Sequence, residues 1–251
     1  MKSLLVSLFC LTSFVCVQTG RINSYKSIEE IPCPDRYTRV KFNENSYTGY
    51  LRRLELKTEN NTVFLYDGSK KRSQNVHFAV LKIDVGTRDL QQCADACMRL
   101  RAEYLFSGER YSEIKFNFLS DGKPRYYTDY AKGDYSYKKF RKYMNYVFAY
   151  ANTASLHQEM SAKTIETITA GDVFIQKRNP YGHAITVMDV AVNSTGKKIF
   201  LLSQSYMPAQ EIHILNNPTN RSISPWFEAD FGDVLQTPEW NFLSSDLKCF
   251  E

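Results

Sequence analysis

Apolar positions recur at helical spacing between Thr87 and Phe106, where Leu90, Cys93, Ala94, Cys97, Leu100, Arg101 and Tyr104 follow one another on a shared face. That spacing predicts a helix capped by Thr87 or Asp89. The same period from about Tyr137 to Glu159, with Phe140, Met144, Val147, Phe148 and Ala151 as its stripe, predicts a second helix. Other runs are short and apolar, as strands are. They cover Thr62–Tyr66 before the Asp67-Gly68 turn, His77–Ile83, and Ile114–Phe118 ahead of a loop over Ser120–Pro124. After Gly171 the chain reads as a succession of strands: Asp172–Gln176, His183–Val192, Lys198–Gln204 and Glu211–Leu215. Helices first and antiparallel strands afterwards predict an α+β fold.

The N-terminus has a different pattern. Lys2 precedes an apolar run from Leu4 to Val17, then Gln18-Thr19-Gly20, which predicts a secretory signal peptide over residues 1–20. The run is shorter than the ~20 residues a membrane span needs, so no stable membrane insertion is expected after cleavage. A lipid anchor at Cys16 would lack the small residues such sites favour, since Phe14-Val15 precede it. The expected location is therefore secreted or periplasmic. Residues 21–35 read as a polar lead-in with Pro32 and Pro34, and residues 36–251 as one domain, β-rich over 36–86 and with its core over 87–251.

Composition adds two points. Aromatic content is high, with 17 Tyr and 16 Phe. Net charge is +5 but spread along the chain, which gives no argument for nucleic acid as a partner. Loss of the leader would leave Cys33, Cys93, Cys97 and Cys249, of which Cys33 and Cys249 could staple the two ends in an oxidising compartment. Asn60-Asn61-Thr62, Asn193-Ser194-Thr195 and Asn220-Arg221-Ser222 are glycosylation sequons that would matter only in a eukaryotic host.

The chemistry-bearing residues are few. A cysteine attacks as thiolate, with an ordinary pKa of about 8.5 that a helix N-terminus and a nearby imidazole lower. Cys93, near the start of its predicted helix, fits that requirement, while Cys97 one turn deeper fits the core. Both thiols also read as ordinary core residues, because free cysteine is among the most buried types. Gln92 could offer a side-chain amide to a developing oxyanion, with Gln91 as the near substitute. Of the four histidines, only His183 follows a turn (Asn179-Pro180-Tyr181-Gly182) and opens a strand. Gln204, at the far end of the next strand, has a side-chain carbonyl able to hold an imidazole N–H. Asp189 lies six residues along the His183 strand, roughly 20 Å away, too far to orient it. No zinc, phosphate-loop, dinucleotide or serine-elbow motif is present, so neither a metal nor a cofactor is implied.

Gln92-Cys93 on a helix, then Gly171-Asp172 with an apolar strand, then Gly182-His183 with another, resembles the CHAP and NlpC-type cysteine amidohydrolases. The resemblance covers roughly residues 88–206 and implies a papain-like core, a nucleophile helix packed on an antiparallel sheet. It also implies Cys93, His183 and Gln204 as the catalytic set and Gln92 near the oxyanion. The chain departs from that pattern in the ninety residues separating Cys93 from His183 and in having Gln at the third position. The runs RDLQQCADA, RLRAEYL, GDVFIQ, LLSQSYMPAQEIHIL and SPWF further resemble a family of exported proteins of unknown function common in Bacteroidota. The expectation is a secreted hydrolase cleaving an amide, with a peptidoglycan peptide or another cell-envelope amide as substrate. Its alternatives are a thiol acyltransferase or esterase, and a non-catalytic binding module presenting Tyr126, Tyr127, Tyr130, Tyr135 and Tyr137.

Overall fold

A computed structural model describes residues 22–251; the predicted leader, with Cys10 and Cys16, lies outside the described residues. The chain begins with β1 (Tyr37–Arg39), α1 (Tyr47–Arg52) and β2 (His77–Val80). Next come α2 (Cys93–Ser107), the hairpin β3 (Lys115–Asn117) and β4 (Pro124–Tyr126), and α3 (Tyr127–Ala131), α4 (Tyr137–Tyr150) and α5 (Thr153–Glu159). Strands dominate the remainder: β5 (Ser161–Ala162), β6 (Val173–Gln176), β7 (His183–Asn193), β8 (Lys198–Gln204) and β9 (His213–Leu215). The last four are β10 (Phe227–Glu228), β11 (Val234–Gln236), β12 (Asn241–Leu243) and β13 (Leu247–Cys249).

The principal sheet is antiparallel, in the order β2-β9-β8-β7-β6-β13-β5, with β1 on the far end of β7 and β10 on the start of β8. Helices α2 and α4 cover one face, where Ala94, Cys97, Met98, Phe140, Met144 and Val147 pack on Val173, Ile175 and Ala184. The other face buries Phe174, Ile185, Val187, Phe200 and Leu202 against Phe227, Leu235 and Phe242. Covering both faces explains why β6 and β7 are nearly continuous apolar runs instead of alternating ones, since neither face meets water. The N-terminal part adds a third cluster, in which Ile28, Leu51, Leu56 and Leu81 meet Ala96, Leu100 and Met188. The architecture is α+β with a large antiparallel sheet. Among the described residues no helix is long and apolar enough to cross a membrane.

Local predictions differ from the structure at several places, among them helix α1, which lies inside the stretch read as β-rich, and the unpredicted α3. Helix α2 begins at Cys93 with Gln92 as its cap, not at Thr87 or Asp89, because Asp95 in the first turn accepts from the Gln92 backbone N–H (3.1 Å). The long second helix is two: Asn152 turns its side chain onto the N–H groups of Ala154 and Ser155, capping a new helix and ending the old one. Thr62–Tyr66 forms only isolated bridges, Phe64 with Lys70 and Leu65 with Gln210. Cys33 and Cys249 are free thiols, so the end-to-end staple is not formed. Asp189 follows an irregularity in the β7–β8 register and is buried between Arg39 and Arg52, each Nε at 2.6 Å. It is a core ion cluster, not a partner of His183.

Candidate active site

Cys93 is the first residue of α2, where backbone N–H groups have no intrahelical partner. Its Sγ lies 3.9 Å from the Gly182 carbonyl oxygen, and the Ala184 backbone N–H also faces it. The thiol is thus held against both chain neighbours of His183. On its other side Thr153 Oγ1 stands 3.7 Å away, brought there by the Asn152 cap that starts α5. Burial is the main influence on the thiol and raises its pKa; the Thr153 hydroxyl lowers it, and the Asp95 carboxyl opposes the thiolate.

The glycines of the two motifs have steric reasons. A Cβ on Gly182 would stand 2.2 Å from the Gln176 carbonyl oxygen and 3.0 Å from Thr153, so only glycine lets β6 and β7 close beneath the thiol. Gly171 has φ +99° and its Cβ would meet the Tyr47 ring at 2.5 Å. Asp172 is structural: it takes the Lys163 ammonium at 2.7 Å and the Thr169 backbone N–H at 2.7 Å.

His183 is 2 % exposed, and its Nε2 lies 3.0 Å from Gln204 Oε1. Which ring nitrogen carries the proton follows from the partners of Gln204. The Gln204 amide nitrogen donates to Glu239 Oε2 (2.6 Å), an acceptor only, which turns its Oε1 toward His183. An oxygen without a hydrogen must receive one, so His183 is protonated at Nε2 and its Nδ1 is the basic nitrogen. The second amide hydrogen faces His213 Nε2 at 3.4 Å, and His213 Nδ1 donates to the Glu211 carbonyl oxygen (2.9 Å). One tautomer set thus accommodates His183 Nε2, both groups of the Gln204 amide and both ring nitrogens of His213. Burial, the largest influence, lowers the His183 pKa to about 4; the Gln204 hydrogen bond works against that and the Lys71 charge reinforces it. Burial likewise lowers His213 to about 3. Three rings enclose the His183 imidazole: Tyr206 at 4.9 Å, Trp240 at 5.3 Å and Phe242 at 5.9 Å. Trp240 is itself fixed by its Nε1–H to Gln176 Oε1 (2.9 Å).

A cleft of about 210 Å³ opens beside the thiol, lined by Gln92, Cys93, Asp95, Thr153, Tyr181 and Met207, with Lys177 and Arg178 at its rim. Its volume is below the ~300–1,000 Å³ of small-molecule pockets, room for a group about the size of one side chain. Three larger cavities, about 420, 660 and 820 Å³, lie elsewhere; none is lined by a cysteine, and only the 420 Å³ one is lined by a histidine, His77. Gln92 lines the cleft, but its side-chain nitrogen already donates to Asp89 Oδ1 (3.0 Å), leaving one amide hydrogen for another acceptor. Gln91 points elsewhere, accepting from Arg99 (3.0 Å). Cys97 is sealed in the core, its thiol pushed up to about 12 mainly by burial.

Gln92 and Cys93 line the cleft at the head of α2, and the thiol reaches backbone atoms on either side of His183. His183 and Gln204 pair with each other beside Tyr206, Trp240 and Phe242 and are not among the residues lining that cleft. Thr153, Glu239 and Trp240 were missed. The Asn-Thr-Ala-Ser helix start after Ala151 could have drawn attention to Thr153; nothing local marks Glu239 or Trp240. Of the tyrosines proposed as a binding surface, Tyr127 is fully buried, whereas Tyr126, Tyr135 and Tyr137 are exposed.

In comparisons with known proteins, a family model described as a domain of unknown function (4846) matches residues 28–135 and 121–249. No curated protein and no solved structure matches.

Proposed function

The chain belongs to the DUF4846 family, and we propose that it is a thiol hydrolase with a papain-like arrangement, cleaving an amide bond through Cys93, His183 and Gln204. The observation that supports the reading is the thiol at the head of α2, held against the backbone of Gly182 and Ala184, the chain neighbours of a histidine whose Nε2 is tied to Gln204.

The resting pair is neutral, because burial disfavours both thiolate and imidazolium. Attack and proton transfer therefore occur together. As Sγ bonds to the carbonyl carbon, its proton passes to His183 Nδ1, and the carbonyl electrons collect on oxygen. The Cys93 backbone N–H and the remaining Gln92 amide hydrogen are the donors for that oxyanion, each such donor being worth roughly 3–4 kcal/mol in one protease. Nδ1–H then protonates the leaving amine as the C–N bond breaks, giving an acyl thioester on Cys93. Water adds with His183 again as base, and expulsion of the thiol releases the acid. The same set would transfer an acyl group or cleave an ester. We take a peptidoglycan peptide or another cell-envelope amide as the substrate class, with export by the N-terminal leader.

The test is intact-mass spectrometry of the mature protein with peptide amides, muropeptides and activated esters. A transient acyl adduct on Cys93 is expected, with turnover abolished in Cys93→Ala. Turnover at the wild-type rate by Cys93→Ala would overturn the assignment.

A further inference from the structure

We propose that Glu239, held by Lys71, is a positioning residue that fixes the Gln204 amide and through it the proton of His183. The inference rests on the Cys93–His183 reading above, and it brings into the site two segments outside the stretch between the thiol and Gln204.

Glu239 stands in the turn between β11 and β12, 35 residues beyond Gln204. One oxygen takes the Gln204 amide hydrogen, and both oxygens receive the Lys71 ammonium, at 2.7 and 3.0 Å. Lys71 is itself buried and lies over the Tyr206 ring, which packs edge-on against His183. The two residues that follow in the same turn and strand serve the same imidazole: Trp240 and Phe242 flank it. An ion pair placed only to join the ends of the chain would need no bond to Gln204. Here the carboxylate decides which end of a symmetric-shaped amide faces the histidine. The competing contact, to His213, is longer at 3.4 Å and is the weaker orienter.

The charges facing His183 make the idea testable. Around it stand Lys71 and Glu239 beyond Gln204, His213 behind the amide and Tyr206 beside the ring, with the Cys93 thiol against the backbone of its chain neighbours Gly182 and Ala184; His77 packs behind His213. Removing the negative member leaves the ammonium opposing an imidazolium, and removing the positive member does the reverse. A unit charge two hydrogen bonds away, at an effective dielectric constant of ~20, moves such a midpoint by roughly one pH unit.

The experiment is ¹⁵N imidazole NMR of the full mature chain, with Cys93 alkylation as a second readout. In wild type the neutral His183 signal should be that of the Nε2–H tautomer. Glu239→Gln should lower the His183 midpoint and slow alkylation; Lys71→Met should raise the midpoint, and the double variant should return it toward wild type. Midpoints that do not move, or move in the same direction in both single variants, overturn the proposal. The double variant removes the pair as a unit, so it carries the test if a single variant fails to fold. An absent hydrolytic activity in wild type would refute the enzyme reading while leaving these titrations to judge Glu239 alone.

Discussion

Replacing His183 with glutamine separates its role as a base from its role in packing. A glutamine retains most of the ring's volume between Tyr206, Trp240 and Phe242, and its amide N–H can still reach Gln204 Oε1. What it lacks is a nitrogen able to take the thiol proton. In its buried position Cys93 has a pKa above the ordinary thiol value, so at pH 7 the unassisted thiolate is at most a few per cent of the protein. A positioned general base typically contributes about 10²–10⁴-fold. His183→Gln should therefore slow alkylation of Cys93 by a small chloroacetamide by about 100-fold or more. The assay is limited labelling at pH 7, quenched and read by peptide mass spectrometry. Cys33 and Cys249, both partly exposed, set the reference rate, and the sealed Cys97 should remain unlabelled in both proteins. Circular dichroism confirms that the variant is folded. Equal Cys93 labelling in wild type and variant, relative to Cys33, would refute an activated pair and return Cys93 to the role of a core residue.

Two further outcomes are expected. Gly182→Ala must open the β6–β7 turn to clear the Gln176 carbonyl; it should cost about 2–3 kcal/mol in urea unfolding and also weaken Cys93 labelling. If it unfolds with wild-type stability, the contact is not the constraint described. The second concerns acid stability. His213 is buried neutral with a midpoint near 3, below its ordinary 6.5, so the unfolded chain binds its proton first as pH falls. Stability from this group is complete above about pH 6.5 and is lost on the way down toward pH 3, at about 1.4 kcal/mol per unit. His213→Gln should therefore flatten the decline of unfolding free energy between pH 6 and about pH 4, measured by urea titration; parallel wild-type and variant curves would contradict it.

The candidate residues Cys93, His183 and Gln204 could be picked out along the chain because the signals that mark them are local. A cysteine at a helix start, a histidine opening a strand after a Pro-Tyr-Gly turn, and a glutamine closing the next strand all follow from period and turn chemistry. Antiparallel pairing of β7 with β8, with Thr186 opposite Ser203, then brings His183 and Gln204 within one hydrogen bond. The helix boundaries were less legible. Gln92 in place of Thr87 as the cap, and the break at Asn152, depend on which side chains fold back onto free N–H groups, and apolar spacing does not record that.

The sequence by itself determined the classes of element, their order, and the residue types able to attack, accept a proton and orient. It did so because helical and strand periods and the turn residues act over a few positions. Only the tertiary structure decided that Thr153 supports the thiol, that Trp240 and Phe242 clasp the imidazole, and that Lys71 and Glu239 hold the amide of Gln204. Those contacts join residues dozens to more than a hundred positions apart, Lys71 and Glu239 being 168 apart, and packing makes them without leaving a local pattern. The protonation of His183 belongs to the same level. It is set by burial and by a chain of donors and acceptors in which each partner has only one way to face the next.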